Sequence, residues 1–279
     1  MKKFLVFILV AALSAGFAAA QESDGIGITA GLEFGISDVT SDASQPYLWA
    51  SLGYENSFGD LDFSTGLALD VGFGDESYQD LYFDLALGYN IGLGGSSTLS
   101  LLLANNMYFA ISSEADDIIA GILKPGVMFT QETGAGDIFV TAEVPVAYLY
   151  FGFDMFFGID ITAGWNSTFG LGFNATGHIQ LSDEFGDDNK GFTGLDLTVF
   201  YEAGSIYFEV AASIPFINEG AGPSSFFDFS LPNGISVTPL FGYTIIPGLQ
   251  VYASCKFFNI GIKDADIGIT PAIGVTYSF

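Results

Sequence analysis

Residues 61–74, LDFSTGLALDVGFG, alternate with a period of two. Leu61, Phe63, Leu67, Leu69, Val71 and Phe73 share the odd positions with Thr65, whereas Asp62, Ser64, Gly66, Ala68, Asp70 and Gly72 hold the even ones. Neighbouring side chains of a strand point to opposite faces, so this stretch has one apolar face and one small or acidic face. The next stretch repeats the pattern, with Leu81, Phe83, Leu85, Leu87, Tyr89 and Ile91 set between Asp80, Tyr82, Asp84, Ala86, Gly88 and Asn90. Carried along the chain, the alternation predicts fourteen strands, near 25–36, 46–56, 60–73, 79–92, 97–112, 117–131, 137–150, 154–166, 169–182, 191–202, 205–216, 234–246, 248–259 and 265–279. Twelve to sixteen strands are compatible with the count. Pro125, Pro145, Pro215, Pro239 and Pro271 fall inside these segments, where a central strand tolerates proline poorly. Alternation alone does not account for them.

So many apolar faces need cover, and composition decides which kind. Half of the 279 residues are hydrophobic, 16% are aromatic and the mean hydropathy is +0.46, yet 32 acids stand against 6 basic residues, all lysine. No window after residue 20 approaches the ~18 uncharged apolar residues of a spanning helix. Strands that face lipid meet both conditions. They must close, because an open sheet edge in hydrocarbon leaves backbone groups unpaired. The expected fold is an all-β, transmembrane, antiparallel up-and-down barrel; a soluble sandwich would bury the same side chains in a core instead. The first twenty residues, MKKFLVFILVAALSAGFAAA, have two lysines, a short apolar run and a small-residue end. That is the layout of a secretory signal peptide, too short in its apolar part for a membrane anchor. The expected division is therefore a signal peptide at 1–20 and a barrel at 21–279, exported, with a lone Cys255 and no disulfide framework.

The connections alternate too. Those after even-numbered strands are tight (ENSFGD, GLGGSS, QETGAGD, WNSTFG, YEAGS, IIPGL), whereas those after odd-numbered strands vary and often run longer, with the short link at 151–153 as an exception. Short turns on one side and long loops on the other are a property of outer-membrane barrels. The chain ends in ITPAIGVTYSF, where Ile273, Val275, Tyr277 and Phe279 alternate. On these features it resembles the bacterial outer-membrane β-barrels of the general porin type over nearly all of its mature length. The resemblance implies the outer membrane of a Gram-negative-type (diderm) bacterium, lipid as surroundings, and the barrel-assembly machinery as a partner that reads Tyr277 and Phe279.

The register sorts residues between two faces. Leu99, Leu101, Leu103, Phe157, Ile159, Ile161, Leu195, Leu197, Val199, Ile206, Phe208 and Val210 are expected on the lipid side. Aromatic residues near strand ends, including Tyr47, Trp49, Tyr54, Tyr148, Tyr150, Trp165, Tyr277 and Phe279, suit the two interfacial girdles of such barrels. The inner face is expected to carry Glu33, Asp62, Asp70, Asp80, Asp84, Glu143, Asp154, Asp160, Asp196, Glu202, Glu209 and Asp266, against Lys124 and Lys256. Carboxylates in lipid are costly, whereas carboxylates around water gather cations. Some of these acids could instead sit at the rims and serve solubility. Inner Gly25, Gly27, Gly31, Gly66, Gly72 and Gly88 leave room for water, whereas Tyr82, Tyr108, Phe139, Phe156, Phe192, Phe200, Tyr207, Tyr252 and Phe258 on the same face could narrow it. The loop at 217–233, with Phe226, Phe227 and Phe229, is a candidate constriction or an external contact site.

Other chemistries find little. A formal charge of −26 argues against nucleic acid as a partner, since little could neutralise phosphates. His178 is the only histidine and joins no catalytic constellation readable in the sequence, so no enzyme, cofactor or metal is expected. DEFGDDNKG at 183–191 has oxygen ligands without the spacing of a calcium loop, and GLGFNATG at 170–177 precedes no helix and is no phosphate loop. The expected function is that of a porin passing small cationic or neutral solutes by diffusion through a water-filled, acidic lumen. One alternative is a channel for hydrophobic solutes, as in fatty-acid transporters, although those carry an N-terminal plug and only Gln21–Asp24 precede the first predicted strand here. The other is a structural or adhesive barrel with a filled lumen. Oligomeric state is not encoded in these patterns.

Overall fold

A computed structural model describes residues 26–41, 44–74, 77–110, 119–149, 152–181, 191–218, 229–230, 234–262 and 265–279. The first twenty residues, with the expected signal peptide, and most of the two loops singled out above lie outside them.

The strands follow the alternation closely. They are β1 (Ile26–Ser37), β2 (Gln45–Phe58), β3 (Leu61–Gly72), β4 (Gln79–Gly94), β5 (Ser97–Ala110), β6 (Ile119–Thr133), β7 (Gly136–Glu143, resumed at Val146–Leu149), β8 (Gly152–Ser167), β9 (Leu171–Gln180), β10 (Gly191–Ala203), β11 (Ile206–Pro215), β12 (Ile235–Ile246), β13 (Leu249–Ile260) and β14 (Gly268–Ser278). Each pairs antiparallel with its sequence neighbours, and β14 returns to β1 with Thr29 opposite Ser278 and Gly35 opposite Ala272. One closed fourteen-stranded barrel results, which excludes the two-sheet sandwich. Closure leaves no unpaired edge. A two-residue pair, Ile217–Asn218 with Phe229–Ser230, stands apart in the loop before β12.

The connections after β2, β4, β6, β8, β10 and β12 are only two or three residues long. Gly59 (φ 67°) and Gly204 (φ 60°) supply the left-handed residue that two of these tight reversals need. Both described ends of the chain lie on this side, where the Phe279 amide donates to the Ile28 carbonyl at 2.9 Å.

The prolines find separate solutions. Pro145 sits where β7 breaks its ladder, yet Glu143 opposite Asp160 and Val146 opposite Phe157 keep one register across the break. Pro125 of β6 faces that same break, and its carbonyl accepts from Val144 N at 2.9 Å. Its missing N–H leaves the return bond of that pair unmade, and the ladder is interrupted there. Pro215 ends β11, opposite Gly194. Pro271 lies opposite Cys255, and Pro239 lies opposite Val210, between the pairings of Val237 with Phe257 and Leu240 with Ser254.

There is no packed core in the ordinary sense. Among the described residues no large side chain is fully buried, and the buried apolar ones are chiefly alanines: Ala30, Ala50, Ala68, Ala272 and one leucine, Leu69. Large apolar side chains line the outside instead, such as Phe34, Leu101, Val140, Phe157, Phe208 and Ile273, the last 64% exposed.

Candidate functional site

The inner wall is the candidate site, and it is built by strand parity. Glu33 lies opposite Trp49 and Gly274, Trp49 opposite Asp70, Asp70 opposite Asp80, and Asp80 opposite Ala110. Side chains from strands that are not neighbours meet on this concave face. The Tyr47 and Tyr252 hydroxyls, from β2 and β13, both donate to Glu33 of β1 at 2.9 Å. The Trp49 and Tyr82 rings approach to 5.0 Å across β3, and Tyr82 continues to Tyr108 at 5.3 Å.

Here the girdle expectation needs correction. Tyr47 and Trp49 face inward, because each sits on the odd positions of β2 with Ser51 and Glu55. Tyr54, packed on Phe63 at 5.9 Å, faces outward as expected, and so does Trp165 beside Phe169 and Phe173. Tyr148 and Tyr150 lie outside the described side chains.

The carboxylates fall into three belts. Nearest the long loops, Asp70 and Asp80 stand directly opposite, a like-charged pair that is unfavourable without a compensating cation. Tyr78 donates to Asp70 Oδ2 at 3.4 Å, and buried Oδ1 has no hydrogen-bond partner among the described residues.

In the middle belt, Asp160 of β8 and Asp196 of β10 bracket His178 of β9. The ring Nδ1 is 2.8 Å from Asp160 Oδ1 and Nε2 is 3.0 Å from Asp196 Oδ2. Lys124 Nζ reaches Asp160 Oδ2 at 3.7 Å, Glu143 stands opposite Asp160, and Thr162 and Thr176 share a 2.8 Å hydrogen bond one step below.

Toward the short turns, Ser57 and Asn90 donate to Asp62 at 2.7 and 2.6 Å, and Ser100 donates to Asn90 at 2.6 Å. This row lines a recess of about 430 Å³ together with Gly27, Glu55 and Gly88. Asp84, bonded by Asn106 at 2.7 Å, borders an adjoining one of about 270 Å³. Across the barrel, Tyr207 donates to Glu209 of β11, and Glu202 lies opposite Tyr207. Lys256 shares the parity of Tyr252 on β13.

Two inner-acid assignments change. Asp266 precedes Gly268, where β14 begins, and is exposed in the loop rather than on a strand face. Glu55 joins the inner wall because β2 runs three residues beyond 55, where a turn was expected to begin. The side chains of Asp154, Phe226, Phe227 and Phe229 lie outside those described.

The inner aromatic rings lie against the wall. A Cβ placed on Gly274 would fall 2.2 Å from the Tyr252 ring, and the same close approach holds for Gly172 under Phe200, Gly164 under Phe139, Gly268 under Phe258 and Gly35 under Tyr47. Each ring covers a glycine of the neighbouring strand. Phe192 is a correction: a bulge at His178/Ile179 puts it opposite Ile179 and against Gly177, on the outer face.

Parity along the sequence puts Asp160, Asp196, Lys124 and His178 on one face, but it does not show that the two carboxylates bracket the imidazole or that Lys124 reaches Asp160. Strand register, rather than spacing, brings them together.

No family model matches the chain, and no curated protein does. Solved structures match it. CdiB from Acinetobacter baumannii superposes with a TM-score of 0.54 at 9% identity, over 92% of this chain and 60% of that one. Salmonella typhi OmpF, in complex with daunomycin, gives 0.54 at 10% identity over 91% and 97%. A deltaS2 mutant of the TodX monoaromatic hydrocarbon channel gives 0.51 at 11% identity over 92% and 90%. The chain thus spans 60% of the length of the CdiB chain. At these identities the likeness is one of fold, the closed antiparallel barrel already described.

Proposed function

We propose that this chain is a non-enzymatic outer-membrane channel that passes small cationic or neutral solutes by passive diffusion. The observation that carries the reading is the charge of the inner wall. Glu33, Glu55, Asp62, Asp70, Asp80, Asp84, Glu143, Asp160, Asp196, Glu202 and Glu209 share that face with Lys124, Lys256 and one histidine. Water-facing carboxylates in excess raise the local concentration of cations and repel anions. The apolar outer face and the closed ladder suit a bilayer. Insertion follows export by the signal peptide and delivery to the assembly machinery, with Tyr277 and Phe279 as the terminal signal; their rings touch edge to face at 4.4 Å. The TodX monoaromatic hydrocarbon channel supplies a channel precedent on the same fold. The Trp49–Tyr82–Tyr108 row favours a second reading, a path along which aromatic solutes slide.

Planar-bilayer recording of the refolded mature chain tests both. Stepwise conductance with a cation-sided reversal potential in a potassium chloride gradient is expected. No conductance would return the chain to the structural-barrel alternative, and anion preference would overturn the acidic-lumen argument. Concentration-dependent block of the current by a neutral aromatic, with none by a sugar of similar size, would favour the second reading.

A further inference from the structure

Resting on the reading of the lumen as a cation-preferring path, we propose that His178 sets how strong that preference is, by holding or releasing one proton between Asp160 and Asp196. The argument is a count of donors. Both flanking groups are carboxylates, and both ring nitrogens lie within hydrogen-bond distance of one of them, at 2.8 and 3.0 Å. A protonated imidazole has two N–H donors and satisfies both. A neutral imidazole has one, so its second nitrogen turns a lone pair toward a carboxylate oxygen. The bridge from β8 through β9 to β10 is thus complete only in the charged state.

The charged groups facing this position are Asp160 of β8, Asp196 of β10, Glu143 of β7 and Lys124 of β6, with Glu202 and Glu209 further toward the short turns. Thr176 and Gln180, on β9 itself, are neutral. With three carboxylates and one ammonium in the middle belt, the belt carries one net negative charge when His178 is protonated and two when it is not. The imidazole is 32% exposed and Asp196 is 49% exposed, so water and permeating ions reach the bridge. One unit of charge acting over a few ångströms of salt water changes local cation occupancy by about twofold. His178 is also the only histidine of the chain, so its titration has a single reporter.

Reversal potentials are measured in a potassium chloride gradient between about pH 5.5 and 8.5, above the ordinary carboxylate range. The wild-type cation-to-anion permeability ratio is expected to rise about twofold with pH, while His178→Gln stays near the upper value throughout. In parallel, ¹⁵N-histidine NMR of the untagged wild-type barrel in micelles follows the one imidazole. It should lose a proton over the same interval as the selectivity step, a readout independent of whether the variant folds. A step that persists in His178→Gln overturns the proposal, and so does an imidazole that titrates while wild-type selectivity stays flat. A conducting wild-type barrel without cation preference at any pH overturns the proposal together with the acidic-lumen argument, whereas a barrel that does not conduct overturns the channel reading itself, which is a separate result.

Discussion

At the residue scale, glycine and aromatic side chains form one unit on the inner wall. Gly274 shows why: with no Cβ, it lets the Tyr252 ring lie flat across β14 and reach Glu33 of β1 with its hydroxyl at 2.9 Å. Alanine here places a methyl group 2.2 Å from the ring, so Tyr252 must lift and surrender that bond. Gly274→Ala is expected to destabilise the barrel by about 1–3 kcal/mol, as overpacking usually does. Gly92, with nothing within 4 Å of the same position, is the control, and its alanine variant should stay within ~0.5 kcal/mol of wild type. Urea unfolding in micelles compares them; coincident midpoints for the two variants would remove the ring–glycine unit as a structural element. Parity along the sequence sufficed to put Tyr252 and Phe200 on the inner face. It could not tell whether they project or lie flat, because the glycine beneath each ring comes from another strand. Phe192 escaped parity altogether, since one extra residue in β10 turns it to the other side.

At the element scale, the seam between β1 and β14 is where the barrel closes, and the loop after β1 extends it. Val39 N donates to the Ile269 carbonyl at 2.8 Å, and Asp38 N donates to Thr270 Oγ1 at 3.1 Å. Asp38 Oδ1 accepts from Ile269 N at 3.2 Å and from the Thr40 hydroxyl at 2.5 Å. The Thr40 hydroxyl first, and the Ile269 and Thr40 amides after it, hold the Asp38 carboxyl below its ordinary value of 3.8. The folded-state value is depressed, so this contribution is fully present above about 3.8 and is lost as pH falls through the lowered value. Asp38→Ala should therefore speed hydrogen exchange at the Ile269 amide near neutral pH and leave it unchanged in strong acid, where the carboxyl is already protonated. Equal Ile269 protection in variant and wild type at neutral pH would show that the side chain does not brace the seam.

The strands themselves were largely readable, with 60–73 expected and Leu61–Gly72 found. The β14 start was not. Residues 265–267 keep an alternating pattern while making loop contacts, one of them the Ile267 carbonyl accepting from Thr40. The prolines were opaque for a related reason. Whether a missing N–H matters depends on which neighbour it faces, and that neighbour lies on another strand: Val144 for Pro125, and Val210 or the stretch of β13 beside Ser254 for Pro239.

At the scale of the whole molecule, an apolar exterior fixes the direction of every acid. Once the ladder closes, a period of two leaves strand carboxylates only one place to go, which is why parity reaches acids such as Asp62, Asp70 and Asp80 without a register, and why it fails at Glu55 and Asp266, where the strand bounds differ from those expected. How the acids group was not legible, because belts are horizontal and sequence runs along the strands. Asp62 and Asp70 share one strand and one face, yet Asp62 joins the hydroxyl and amide row beside the 430 Å³ recess while Asp70 pairs with Asp80 eight residues higher. They therefore sample the lumen at two depths. Neutralising both, Asp62→Asn with Asp70→Asn, removes two charges and keeps the shapes of the side chains. The cation-to-anion permeability ratio should fall by about two- to fourfold in ~0.01 M salt, where the Debye length of roughly 30 Å spans the lumen, and by much less at ~1 M, where it shrinks to roughly 3 Å. Each single variant should account for part of the drop, since the two positions sit in different belts and share no hydrogen-bond partner. A ratio unchanged at low salt would mean that ions do not pass these carboxylates. A drop equal at both salt concentrations would mean that the substitutions reshaped the wall instead of discharging it.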